Sequence, residues 1–326
     1  MKTLLAIGLR IFYAAILILA VIVLNFILLH LAPGDPADVI AGEMGGATEE
    51  ILEEIRKAYG LDQPWYVQLG IYLSKIATGD FGQSYFYNNT PVADLVFGRL
   101  GATLLLVVTA LVFAIAVGTF LGVMAARKPN GIVSGLITVL ALVGYSAPVF
   151  WTGLMLIIVF AWAIPIFPIA NMYDVALQGG TLTRILDVAH HLVLPAFTLG
   201  VIYIAIYSRL ARASMLEVLG SDYIRTARAK GLSERVVVGK HALRNAILPV
   251  VTLAGLQFGQ IISGAVLVET VFNWPGLGTL ALEAILGRDY PTILGILFLS
   301  ATIVIIANLL TDLAYRIIDP RIRGKA

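Results

Sequence analysis

The sequence has 326 residues, 59% of them hydrophobic and 13% charged, with a formal charge of +2 and a mean hydropathy of +0.92. A soluble domain carries about 25% charged residues. This chain has too little polar surface to cover a water-soluble fold, so lipid is the expected solvent for much of it. It contains no cysteine, which excludes disulfides and thiol chemistry.

A membrane helix needs about 20 mostly apolar residues. The first candidate runs from about Leu9 to Leu31. Met1-Lys2-Thr3 has the charge of a signal-peptide start, but the apolar run is too long for one. It ends at Pro33-Gly34-Asp35-Pro36 without a small-residue cleavage site, so a retained helix is expected. The next stretch, to about Arg99, carries Glu49-Glu50, Glu53-Glu54 and Arg56-Lys57 and reads as a small folded segment outside the membrane. Further apolar runs follow at about 101–126, 132–167, 192–210, 246–270 and 291–318. The run 132–167 has Pro148 at its middle and no polar turn. Proline removes a backbone donor and kinks a helix, so one long kinked span is expected, giving six in all.

Charge distribution tests that topology, because cytoplasmic loops are enriched in Lys and Arg. With both termini inside, Arg56, Lys57, Lys75, Arg99, Arg184 and Arg288 fall outside and every other Lys and Arg falls inside. The largest inner group is Arg209, Arg212, Arg225, Arg228, Lys230, Arg235, Lys240 and Arg244. The expected fold is thus an all-α integral membrane protein with six transmembrane helices and both termini inside. A small polar extracytoplasmic segment separates helices 1 and 2. Residues 1–100 form the first helix plus that segment. Residues 101–326 form a five-helix core with a cytoplasmic loop at about 211–248.

The chemistry of most enzymes is missing from the sequence. No G-x-x-x-x-G-K-[ST] loop is present to cradle a nucleotide phosphate, and no H-E-x-x-H or G-x-S-x-G motif occurs. Adjacent His190 and His191 would point in different directions on a helix and are read as capping the outer end of the fourth span. Ionisable residues within spans mark proton and ion relays. Here His30, Glu269 and Asp312 lie near predicted span ends, so a gradient-driven transporter is disfavoured and active transport would need energy from another subunit.

In the long inner loop, Ser221 is a suitable helix N-cap, Asp222 complements the helix dipole, and Gly231 follows the late basic residues. A short separate helix is expected over 222–230. Ser233-Glu234 would start a second helix leading to Leu248-Pro249 and the fifth span. Proline is tolerated in a first helical turn.

This loop closely resembles the signature loop of the dipeptide/oligopeptide ABC permease family. The matching residues are Asp222 through Leu232, then His241-Ala242-Leu243-Arg244-Asn245-Ala246, then Leu248-Pro249. The resemblance continues in Pro33-Gly34-Asp35-Pro36, Gly60-Leu61-Asp62-Gln63-Pro64 and Gly79-Asp80-Phe81-Gly82-Gln83-Ser84. It extends through Asn273-Trp274-Pro275-Gly276-Leu277-Gly278, Arg288-Asp289-Tyr290-Pro291 and Asp319-Pro320-Arg321-Ile322-Arg323. Where the so-called EAA loop of such permeases begins Glu-Ala-Ala, this chain has Arg225-Thr226-Ala227, so no glutamate-specific contact carries over.

The resemblance implies the first permease of a pair in a binding-protein-dependent importer of the bacterial cytoplasmic (inner) membrane. Its partners would be a second homologous permease, two ATP-binding subunits and an extracytoplasmic substrate-binding protein. ATP and Mg would bind the partner subunits, and this chain would bind no cofactor and no metal. The coupling segment would be Ser221, Asp222, Tyr223, Ile224, Arg225, Thr226, Ala227, Arg228, Lys230, Gly231 and Leu232. Asn273, Trp274, Pro275 and Gly276 would face the binding protein. The expected translocation pathway takes Tyr145, Ser146, Pro148 and Phe150 from the kink, with Gln257 and Ser263 from the fifth span, because a bent helix exposes backbone polar groups that need water or protein at depth. Cargo stays open among dipeptides, oligopeptides, glutathione and nickel complexes. A stand-alone secondary transporter is the alternative of a different class.

Overall fold

The apolar runs fold as long helices in the computed structural model, which describes residues 2–318 apart from 32–34, 42–47, 85 and 178. The Pro33-Gly34 step and the Asp319–Arg323 motif lie outside the described residues, as does the side chain of Asp312. Among the described residues five helices are long and apolar enough to cross a membrane: Gly8–Leu31, Val92–Arg127, Thr181–Leu219, Leu248–Val271 and Tyr290–Thr311. A sixth candidate is a broken pair, Ile132–Ser146 and Val149–Ala163, whose halves meet at 106°. That is far sharper than the kink expected from the sequence. Pro148 is the cause. It pushes the preceding Ala147 out of helical geometry (φ −74°, ψ 131°), and the next helix starts immediately behind it.

The chain divides into two compact units, Met1–Thr103 with Pro275–Ala326, and Leu104–Trp274. The first contains α1 (Lys2–Leu31), α2 (Pro36–Ala41), α3 (Glu49–Tyr59), α4 (Trp65–Ala77), strands β1 (Gln83–Ser84) and β2 (Thr90–Pro91), and the start of α5 (Val92–Arg127). It also holds α13 (Leu277–Leu286) and α14 (Tyr290–Ile318). The charge pattern explains α3. Glu49 and Glu50 fill its first turn and Arg56 and Lys57 its last, each complementing the helix dipole. Gly60 closes it in the left-handed region at φ 62°, a conformation that favours glycine. Leu52 and Ile55 of α3 then bury against Leu29, Ala37, Ala41 and Leu294.

Helix α1 is tied to α14 by Asn25 Nδ2, which donates to the Leu294 carbonyl at 3.1 Å, and to α4 of the polar segment by His30 Nε2, which bonds Gln68 Oε1 at 2.8 Å. His30 is thus a positioning group within the fold. The β1–β2 hairpin turns at Asn88 and Asn89, both with positive φ, as a type I′ turn requires. Its Ser84 hydroxyl donates to Asp289 Oδ2, and Tyr87 OH donates to Glu283 Oε2 at 2.7 Å. The Arg288-Asp289 motif therefore holds the hairpin, a role its sequence did not disclose.

The second unit is organised around the 39-residue α8 (Thr181–Leu219). Against it pack α6 (Ile132–Ser146), α7 (Val149–Ile157, continued by a π-helical turn over Ile158–Ala163) and α12 (Leu248–Val271). Helix α5 joins them by close backbone approach. A Cβ on Gly118 would lie 2.7 Å from Tyr207 Cβ, and one on Gly122 would lie 2.5 Å from the Ser208 carbonyl oxygen. Small residues four apart let two membrane helices meet this closely. Helix α8 begins well before the histidine pair, so His190 and His191 do not cap its end. His190 Nε2 bonds the Ile166 carbonyl at 2.8 Å, and His191 Nδ1 bonds the Asp187 carbonyl at 2.9 Å.

Candidate functional site

Between α8 and α12 the chain forms α9 (Asp222–Ala229), α10 (Glu234–Val236), a π-helical turn (Val237–Ala242) and α11 (Leu243–Ala246). Eight residues form a marginal helix in isolation, so neighbouring contacts must hold α9. Ile224 and Ala227, three apart and therefore on one face, are buried with Met215, Val237, Val238, Ala242, Ala246 and Ala126. Asp222, Tyr223, Arg225, Thr226, Arg228 and Lys230 are exposed. The result is a polar helix face presented by an apolar seat.

Its ends are fixed as the sequence suggested, with one difference. Ser221 occupies the N-cap position in extended geometry, but its hydroxyl donates to the Val218 carbonyl rather than accepting from the helix. At the other end Gly231 adopts φ 78°, and a Cβ there would meet nothing within 4 Å. Glycine is required there by backbone conformation and not by space. Arg228 donates to Glu234 at 2.8 Å and 3.2 Å. That bond holds the Glu234 carboxyl below its usual range and raises Arg228. Asn245 Nδ2 donates to Tyr223 OH at 2.8 Å, joining α9 to the approach of α12.

The residues singled out at the break are only partly gathered. Tyr145, Ser146, Pro148 and Phe150 are exposed around the 106° turn. Ser263 on α12 is also exposed, and Gln257 is buried with no hydrogen-bond partner for Oε1. Arg209, not foreseen here, also reaches this region. Its guanidinium lies 4.9 Å from the centroid of the Tyr145 ring, a favourable cation–π geometry.

The segment 273–276 requires a correction. Trp274 is wholly buried and Gly276 is buried, so neither offers a surface to a docking protein. Asn273 is exposed and Pro275 half-buried. Trp274 anchors the fold instead, its N–H donating to the Glu269 carbonyl at 2.8 Å. Asn273 and Asn171, both at positive φ, are clasped by an amide bond of 2.6 Å. The Asn171 N–H donates to the Phe272 carbonyl at 2.9 Å. This clasp ties the loop after α7 to the end of α12. Paired asparagines with left-handed backbone are its signal, invisible until their distance in sequence closes in space. Glu269, expected near a span end, is fully buried.

A broken apolar span, a presented polar helix and close-packed apolar helices are the features of a polytopic membrane protein, and the fold is that of an ABC transporter membrane chain. It matches a chain of a solved structure described as "Inward facing conformations of the MetNI methionine ABC transporter: CY5 native crystal form", with a TM-score of 0.55 and 17% identity. The match covers 69% of this chain and 96% of that one.

The chain belongs to the family of binding-protein-dependent transport system inner membrane components, whose profile matches residues 118–324. The N-terminal profile of the same systems matches residues 4–107. It is similar to the dipeptide transport system permease protein DppB of Escherichia coli K12, 42% identical with 94% of this chain and 95% of that one covered. It is also similar to DppB of Alkalihalophilus pseudofirmus, at 41% identity covering 92% and 94%. The oligopeptide transport system permease protein AppB of Bacillus subtilis is 40% identical, covering 94% and 95%. The protein is therefore a multi-pass permease component of the bacterial inner membrane.

Proposed function

We propose that this chain is a non-catalytic permease subunit of an ATP-driven importer, forming half of the translocation pathway for di- and oligopeptides. Its relatives named as dipeptide and oligopeptide permeases support the cargo. The observation that carries the mechanism is α9, a short helix seated by Ile224 and Ala227 with its polar face exposed, between two helices long enough to span the membrane. A capped, seated helix transmits displacement as a rigid lever, whereas a loop would absorb it. Closure of two ATP-binding subunits displaces α9, and the motion passes through its apolar seat into α8 and α12.

The broken pair α6–α7 counts as one span, which gives six spans with both termini in the cytoplasm. Residues 1–100 are then the first span with its outer segment, and 101–326 are the permease core. Tyr145, Ser146, Pro148, Phe150, Gln257 and Ser263 border the pathway, and Ser221 through Leu232 form the coupling segment. ATP and Mg act on the partner subunits. A second permease and an external binding protein complete the importer, the latter meeting the surface that includes Asn273 and Pro275.

The test is a deletion of 222–230 in the assembled transporter. The expected result is loss of peptide uptake with the chain still inserted. Uptake that survives the deletion overturns the assignment.

A further inference from the structure

A pocket of about 250 Å³ opens between α5, α6 and α8. Ala125 of α5, Ile137 and Ala141 of α6, and Leu216 of α8 supply apolar walls, while Arg209 and Arg212 of α8 bring two cations. These residues all belong to the unit 104–274. Arg212 is held in place from two sides. One terminal nitrogen donates to Thr138 Oγ1 at 3.0 Å and the other to the Pro129 carbonyl at 3.3 Å. Its Nε is buried with no hydrogen-bond partner. Arg209 is steadied by the Tyr145 ring face.

Among the described residues no carboxylate lies within ion-pair distance of either arginine. Two like charges three residues apart on one helix repel, with Arg209 exposed and Arg212 half-buried. The partners among the described residues are a hydroxyl and a carbonyl for Arg212 and an aromatic face for Arg209, none of which neutralises a charge. Helix α6 also carries an exposed apolar face of Val133, Leu136, Val139, Leu140 and Val143, a surface suited to lipid chains. The Pro129 contact sets the basic Arg127-Lys128 step, at the end of α5, beside the same pocket.

We propose that this pocket binds the phosphodiester headgroup of an anionic phospholipid. Arg209 and Arg212 hold the phosphate, and an acyl chain lies on Ile137, Ala141 and Leu216. Basic pockets between membrane helices bind anionic headgroups by this logic, and arginine suits phosphate through its planar donor fork. A bound lipid would also brace α6 against α8 beside the break at Pro148.

The experiment exchanges the purified full chain into mixed micelles of phosphatidylglycerol and phosphatidylcholine at equal mole fraction and counts retained lipid by native mass spectrometry. Both lipids carry the phosphodiester, but the two arginines repel the choline cation, so the wild-type chain is expected to retain phosphatidylglycerol about tenfold over phosphatidylcholine. Arg209→Gln with Arg212→Gln is expected to abolish the preference. Ala141→Phe, which fills the apolar end and keeps both charges, is expected to lower retention. Equal retention of the two lipids by the wild-type chain, a result independent of any variant, overturns the proposal. So does a preference that survives the double substitution. Displacement of the lipid by millimolar inorganic phosphate would assign the site to free phosphate and reject the lipid.

Discussion

Ile224→Ala isolates the lever from its seat. Ile224 is fully buried in the cluster that holds α9, and truncating such an isoleucine costs about 2–5 kcal/mol. An eight-residue helix has no stability of its own to offset that loss. The contacts that remain are Ala227 in the seat, the exposed Arg228–Glu234 pair and the Asn245–Tyr223 hydrogen bond. Exposed pairs are weak and screened by salt. Even the low end of the range multiplies the undocked population of α9 by roughly thirty. The assay is uptake per ATP hydrolysed by the assembled transporter in liposomes, with amide hydrogen exchange followed across 222–230. The expected result is exchange in α9 faster by a comparable factor, uptake per ATP reduced, and the chain still inserted. Faster exchange with unchanged uptake per ATP would refute the lever. Unchanged exchange would refute the energetics.

Gly122→Ala tests the α5–α8 contact. The added Cβ meets the Ser208 backbone at 2.5 Å, so the helices must separate, at a cost of about 1–3 kcal/mol visible as a lower melting temperature in micelles. Trp274→Ala removes a fully buried side chain and is expected to cost about 3–5 kcal/mol, reducing the yield of folded chain. Asn273→Ala, on the exposed side of the same turn, should leave more of that stability and weaken binding-protein affinity measured in nanodiscs. Equal effects of the two substitutions would contradict the separation of anchor from surface. For Asp35, the Ala37 N–H and then the Arg56 guanidinium hold the carboxyl below its usual range. Its folded value lies under the unfolded one, so the stabilisation is complete above about pH 4 and is lost as pH falls through the folded value. Hydrogen exchange in α3 should rise with acid in the wild-type chain and depend less on pH in Asp35→Asn.

The long spans were legible because apolar length is a one-dimensional property. The 222–230 helix was legible for a related reason: its cap position, acidic start and left-handed glycine are local signals, and α9 ends within a residue of the expected limit. What the sequence hid depends on distance. Pro148 announced a bend but not its angle, because 106° is set by where α7 packs on α8 and α12. Trp274 looked like a docking residue from its neighbours in the chain, yet it is wholly buried. The Asn171–Asn273 clasp and the Arg209–Tyr145 contact join residues 102 and 64 positions apart, beyond the reach of any periodicity. Gly118 and Gly122 were in plain view, but only the approach of α8 gives their spacing a meaning.

The most direct test of the coupling claim is ATP hydrolysis by this chain assembled with its partner subunits in lipid nanodiscs, with and without binding protein loaded from a peptide pool. Hydrolysis is expected to rise only with loaded binding protein, and mass analysis of the bound peptides then names the cargo. Hydrolysis indifferent to that protein and its ligand would contradict the peptide reading, and failure to assemble with any ATP-binding subunit would contradict the importer itself.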